Sequence, residues 1–347
     1  MQKFSQTVVA TALALLGQYA DGLSSPKTSS AFQDELRRIL SSSGNREVSV
    51  GAASTAGADT GPGNGDPSLT LRSILSPKDR SRSSDNPDEY FYDSPMIVHH
   101  NDEAFRVSLS ELYSEVLPEG GGGTFLDLGS SWTSHLPPVD PQPANVWLHG
   151  MNSEELERNS AGNGLSIVRS FNNIDDGVNA ALLGSQGTGD ETFASFFPLL
   201  PEVPDNSVDV VGVCASFQYW RFPERVAGEI LRVLKPGVGR CVVSFSNRMF
   251  ASKAVRAWTA RSDFGRLQYV SDVLERGAVL RDGVSTDGSV GGGPSSVLRV
   301  EKKVSRGAMA SMLSMPLSSV LGRNLIGDPF LAVVACKINA DDDDEKN

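Results

Sequence analysis

Residues 124–137, Thr-Phe-Leu-Asp-Leu-Gly-Ser-Ser-Trp-Thr-Ser-His-Leu-Pro, constrain the fold more than any other stretch. The short apolar run 124–128 predicts a strand. Gly129 and the two serines after it let the backbone turn sharply and come close to a ligand. Asp127 then sets a carboxylate where the carboxyl edge of a parallel sheet meets what it binds. A phosphate cradle is the alternative for such a turn, but it needs three glycines at fixed spacing, or a lysine followed by Ser or Thr. Only Gly129 stands in this turn, and no Lys or Arg occurs in the dozen residues after it. A neutral or positively charged ligand fits the stretch better than a polyphosphate.

The pattern recurs along the chain. Apolar runs at 146–152, 165–172, 207–214 and 240–245 predict further strands, and 328–337 predicts a last one. Between them lie helical spacings. Leu109, Leu112, Tyr113 and Val116 form a stripe that ends at Pro118 and the glycines 120–123. Residues 223–234 carry Val226, Ile230 and Val233 on one face before Lys235-Pro236-Gly237. Phe250, Ala254 and Trp258 predict another helix, and Leu267, Val270, Val273 and Leu274 a third. Strands alternating with helices predict an α/β sheet.

Charge narrows the partners. With 42 acidic against 31 basic side chains the net charge is −11, a surface that repels phosphate backbones and anionic membranes. No nucleic-acid partner is expected. Cys214, Cys241 and Cys336 fall in apolar runs, an odd number without paired spacing, which fits buried thiols better than disulfides or zinc. His99 and His100, as neighbours on extended chain, point to opposite faces, so no metal site is expected from them.

Hydrophobic residues make up 39% of the chain, slightly low for one that packs throughout. Residues 1–23, with one lysine and the apolar run 8–16, have the proportions of a signal-peptide-like targeting segment too short to span a membrane. Residues 24–88, rich in Ser, Gly, Asp and Pro, are expected to be a disordered transit or linker region. Residues 175–195 and 283–296 are expected to be surface insertions, and 339–347 a solvated acidic tail.

Taken in order, these motifs resemble the S-adenosylmethionine-dependent methyltransferases of Rossmann-like, type 11-like fold. The resemblance is closest to a plant and algal group whose first motif reads Asp-Leu-x-Ser-Ser-Trp-x-Ser-His-x-Pro, as residues 127–137 do. Phe91-Tyr92-Asp93-Ser94-Pro95, Leu234-Lys235-Pro236-Gly237 and Ser244-Phe245-Ser246-Asn247-Arg248 are similar to further motifs of that group or its superfamily. The resemblance implies a doubly wound sheet of about seven strands over residues 89–338, mostly parallel with an antiparallel last strand. It also implies bound S-adenosylmethionine and a small-molecule methyl acceptor.

Carried over by position, Asp127 would bear on the cofactor's amino-acid portion, with Gly129, Ser130 and Ser131 beside it. Met151 and Asn152 stand at the second strand's end, where many relatives grip the ribose with Asp or Glu. Ser170, Phe171 and Asn172 stand near the adenine, and Ala215, Ser216 and Gln218, with Tyr219 and Trp220, line the pocket after the fourth strand. His100 and His135 are the candidates for a general base. Met96 replaces the arginine usual in the relatives' Pro-Arg pair. The departures at Asn152 and Ser170 leave a catalytically inactive, methyltransferase-like binding module as the alternative, while the missing glycine fingerprint disfavours a nicotinamide enzyme. Ser30-Ala31-Phe32 resembles the cleavage signal of plastid-bound algal proteins, so plastid delivery is expected first, and the secretory pathway or another organelle second.

Overall fold

The structure, a computed structural model, describes residues 68–173, 177–184, 192–193, 198–281, 294–306 and 327–339. The targeting segment 1–23, the Ser30-Ala31-Phe32 motif, residues 283–293 of the second insertion and residues 340–347 of the tail lie outside them.

Ten strands are described: β1 (Ser68–Arg72), β2 (Thr124–Ser130), β3 (Asn145–Gly150), β4 (Ser166–Val168), β5 (Thr192–Phe193), β6 (Val210–Cys214), β7 (Arg240–Phe245), β8 (Ala278–Arg281), β9 (Pro294–Arg306) and β10 (Phe330–Asn339). They form one sheet in the order β4-β3-β2-β6-β7-β10-β9-β8-β1-β5. Strands β4, β3, β2, β6 and β7 are parallel, and β10 runs against both β7 and β9.

Alternation along each strand builds two layers, because successive side chains leave opposite faces of a sheet. Phe125, Val210 and Val242 join Phe105, Leu109, Leu112 and Tyr113 of the helix Glu103–Val116 in one apolar cluster. Leu126, Val211 and Val243 join Val226 and Ile230 of the helix Pro223–Val233, and Val270 and Leu274 of the helix Asp263–Arg276, in the other. Covered on both sides, β6 and β7 read as nearly continuous apolar runs. The fold is a Rossmann-like doubly wound sheet, with the expected antiparallel last strand.

The seven strands β4-β3-β2-β6-β7-β10-β9 are the expected sheet, and β8, β1 and β5 extend it by antiparallel pairing. Two corrections follow from the structure. The unpacked N-terminal region does not reach Asp88: β1 begins at Ser68, and Leu71, Leu75 and Arg80 are buried. The composition of this segment concealed a buried ion pair. Arg80 donates from both terminal nitrogens to Glu224 at 3.0 and 2.8 Å, and to the Arg221 carbonyl at 2.7 Å. Finally, Phe250, Ala254 and Trp258 do not share one helix. Val255 is extended, with ψ 152°, and its amide donates to the Gln218 carbonyl, so only Arg256–Thr259 is helical. The region expected as the first insertion holds the helix Gly177–Gly184, whose Val178 and Leu182 enter the core.

Candidate active site

Strand order reverses at β2, from which the chain runs outward through β3 and β4 on one side and β6 and β7 on the other. In open α/β sheets, ligands bind at the carboxyl ends of the strands flanking such a reversal. The turns after β2 and β6 interlock there. Gly129 adopts φ 70° and Ala215 φ 49°, and the Ser216 hydroxyl donates to the carbonyls of Gly129 and Cys214, both at 2.9 Å. Left-handed backbone at a non-glycine such as Ala215 is sparsely populated and clusters at binding sites. Beside these turns opens a cavity of about 730 Å³ lined by Asp127, Gly129, Ser130, Ser131, Ala215 and Ser216 among others.

Asp127 is buried in its floor, accepting from the Ser130 hydroxyl at 2.8 Å. Burial pushes its carboxyl up to about 6, against the opposing pull of the Ser134 and Ser130 hydroxyls. No basic side chain among the described residues pairs with it. Ser131 Oγ and Gln218 Oε1, also in the lining, are buried without a protein partner. The three residues line one space, and Ser131 and Gln218 each hold a buried polar atom whose bonding capacity is unused, an arrangement that favours a polar ligand.

His149, which the sequence reading passed over, holds this floor together. Its Nδ1 accepts the Gly129 amide at 3.3 Å and its Nε2 lies 2.8 Å from the Arg169 carbonyl. A carbonyl only accepts, so the proton resides on Nε2. The ring stacks on Phe171 with centroids 4.0 Å apart, and burial pushes its titration down to about 4. A neutral imidazole is therefore part of the frame. The signal for it was a polar residue closing an apolar strand.

The other expected residues divide into wall and support. Met151, Phe171 and Gln218 line the cavity. Asn152 stands behind the wall. Its Oδ1 caps the helix Ser153–Glu157 by accepting the Glu155 amide at 3.1 Å, and its amide nitrogen donates to the Tyr92 and Asp93 carbonyls at 2.8 and 3.0 Å. The acidic side chain in the wall there is Glu155, one helical turn on, which accepts the Met96 amide at 2.7 Å. Asn172 lines the cavity but acts as a strut, donating to Asp88 at 2.7 Å and the Tyr219 carbonyl at 3.0 Å and accepting the Arg221 amide at 2.7 Å. Burial would raise Asp88, but the charge of Arg82 and hydrogen bonds from Asn172, Arg82 and Lys253 hold it below its ordinary range.

Both candidate bases lie at the rim. His100 packs edge-on against Phe250, centroids 5.4 Å apart, and is lowered by its partial burial, with Glu155 opposing and Arg248 reinforcing the shift. His135 adopts φ 54° and is pushed to about 4 by burial, with help from Arg106 and His99. Trp132 packs on His99 at 4.5 Å and donates to the Val98 carbonyl at 3.2 Å, fastening the 92–101 segment across the opening.

Residues 192–243, which carry β6, the turn after it, the helix Pro223–Val233 and β7, match the family model of a methyltransferase domain. No curated protein matches the chain. Among solved structures it is similar to a complex of the Haloferax volcanii Trm112 methyltransferase activator with a putative methyltransferase, at 14% identity over 73% of this chain and 94% of that one, TM-score 0.37. It is also similar to a Leishmania major S-adenosylmethionine-dependent methyltransferase, at 12% identity over 67% and 72%, TM-score 0.38. A third is Haemonchus contortus phosphoethanolamine N-methyltransferase 1 with phosphoethanolamine and S-adenosylhomocysteine, at 12% identity over 69% and 43%, TM-score 0.36. The segment matching the methyltransferase-domain model supplies Ala215, Ser216 and Gln218, one wall of the cavity.

Proposed function

We propose that the chain is an S-adenosylmethionine-dependent methyltransferase that methylates a small-molecule acceptor in this cavity. The observation that carries the reading is Asp127, a buried carboxylate without a cationic partner, facing a cavity beside Gly129 at the reversal of the sheet. Such a group favours a ligand that brings a positive charge to it. The cofactor's amino-acid portion carries an ammonium group that Asp127 would hold. Ser131 and Gln218 line the cavity as polar residues, and Met151 and Phe171 supply apolar wall. About 730 Å³ lies within the ~300–1,000 Å³ range of small-molecule sites.

When bound, S-adenosylmethionine supplies a methyl group on a sulfonium whose leaving group is a neutral thioether. This chain's residues then have to orient the reactants and exclude water, which can supply up to ~10 kcal/mol. Asp127 fixes the ammonium end. The His149–Phe171 stack keeps the floor rigid, and the strap carrying Met96 and Val98 shields the opening. An acceptor hydroxyl loses its proton as its oxygen takes the methyl, and His100, held below its ordinary range and so neutral at physiological pH, accepts that proton. His135, at about 4, is a weaker base and suits a hydrogen-bonding role. Delivery to a plastid is part of the proposal, supported by Ser30-Ala31-Phe32 behind the apolar run 8–16.

Calorimetry with S-adenosylhomocysteine tests the reading. Binding is expected, tighter above pH 6, where Asp127 is ionised, than below it, and with loss of binding in Asp127→Ala. A folded chain silent toward both S-adenosylmethionine and S-adenosylhomocysteine would be a binding module instead.

A further inference from the structure

The cationic and aromatic groups around the cavity specify what the acceptor must be like. Two arginines line it among the described residues, and both are engaged by carboxylates. Arg169 meets Glu202 through two bonds of 2.6 and 3.0 Å. Arg248 donates to Asp328 at 2.6 Å, and the other Asp328 oxygen accepts the Asp102 amide. All four histidines in the lining, His99, His100, His135 and His149, are shifted toward the neutral form, first by burial. Met96 lines the cavity as an uncharged side chain. The lining thus offers an anionic group no uncompensated cation, while Asp127 and Glu155 would repel one.

Flat faces take the place of charge. One group of rings in the lining is Tyr219 stacked on Phe250, with centroids 5.8 Å apart and 27° between the planes, and His100 edge-on to the same Phe250. A second is Trp132 and His99, packed at 4.5 Å, with His135 6.2 Å from His99. Rings prefer offset-stacked or edge-to-face neighbours, which both groups supply.

Resting on the methyltransferase reading, we propose that the acceptor is an uncharged aromatic alcohol, a phenol without a carboxylate or phosphate. Its ring packs against these aromatic groups and its hydroxyl is directed at His100. The oxygen–methyl bond forms as the sulfur–methyl bond breaks, the bonding pair stays with sulfur, and the hydroxyl proton passes to His100 and then to water.

Matched probes that differ by one charge test this: catechol against 3,4-dihydroxybenzoate. Their binding to the chain saturated with S-adenosylhomocysteine is followed by calorimetry, and methyl transfer from labelled S-adenosylmethionine is measured in parallel. Catechol is expected to bind and to react at least about tenfold better than the benzoate. Met96→Arg, which adds a fixed cation to the lining, is expected to narrow or reverse that preference, read as the ratio of the two rings' affinities for the chain saturated with S-adenosylhomocysteine. Equal or better binding of the benzoate by the natural chain overturns the proposal, as does failure of catechol to bind while S-adenosylhomocysteine does. A folded chain that binds no S-adenosylhomocysteine instead defeats the cofactor reading, and the proposal with it.

Discussion

A Cβ placed on Gly129 would sit 2.5 Å from both Cβ and Oγ of Ser216, so the turns after β2 and β6 are fitted to one another at that contact. At φ 70° any other L-residue also carries a left-handed penalty of about 1–2 kcal/mol. Gly129→Ala should lower the melting temperature by several degrees and weaken S-adenosylhomocysteine at least about tenfold in calorimetry. Adding Ser216→Gly should return part of both losses, because it removes the clash and leaves the strain. A single variant that binds like the natural chain would show that the two turns are not coupled.

Asp127 makes the unliganded chain sensitive to pH. Its carboxyl, raised from 3.8 to about 6 by burial, favours the folded state fully below 3.8, and that contribution fades as pH rises through 6. The difference is about 3 kcal/mol at neutral pH. Asp127→Asn should therefore be more stable than the natural chain at pH 7 by up to that amount, equal to it near pH 3.5, and unable to bind the cofactor. Urea titrations at the two pH values decide the matter. A variant less stable at pH 7 would mean that the carboxylate has a cationic partner.

Glu224 is wholly buried with Arg80, and it also accepts the Ile74 amide at 3.0 Å. Removing one partner of such a pair leaves an uncompensated buried charge and costs about 3–5 kcal/mol. Glu224→Gln should lose most of that in a urea titration, with a parallel loss in a chain truncated to begin after Arg80. Full stability in the truncated chain would show that β1 and its anchor contribute nothing.

The two rim histidines should separate by pH. His100 lies below its ordinary 6.5, so methyl transfer should fall on the acid side with a midpoint beneath that value, and His100→Gln should remove that limb while S-adenosylhomocysteine still binds. His135, at about 4, is neutral throughout the assay range, so His135→Gln should change the rate without moving the profile. An unmoved profile in His100→Gln would take the base role from it.

Residues 124–128 and 240–245 were readable as strands because both faces of a covered parallel sheet demand unbroken apolar runs, and the Gly129 turn was readable because its conformation demands glycine. Arg80 was not legible, since an isolated arginine in a Ser- and Asp-rich stretch looks solvated until its carboxylate arrives from Glu224, 144 positions away. The 250–258 region misled for a related reason. Of its period-four apolar positions Ala254 and Trp258 are buried and Phe250 lines the cavity, but Val255 bonds to the Gln218 carbonyl instead of continuing a helix. At the site, residue types indicated which positions face the ligand edge. They could not indicate that Asn152 and Asn172 have their amides engaged in holding chain segments together, a fact set by contacts with residues 88–93.

Strand β1 lies between β8 and β5, and the segment after it is locked by Arg80 to the helix Pro223–Val233, which itself packs on β1 and β8. A cut beyond Ser68 would therefore strip a rib from the sheet, and one beyond Arg80 would leave Glu224 buried without its cation.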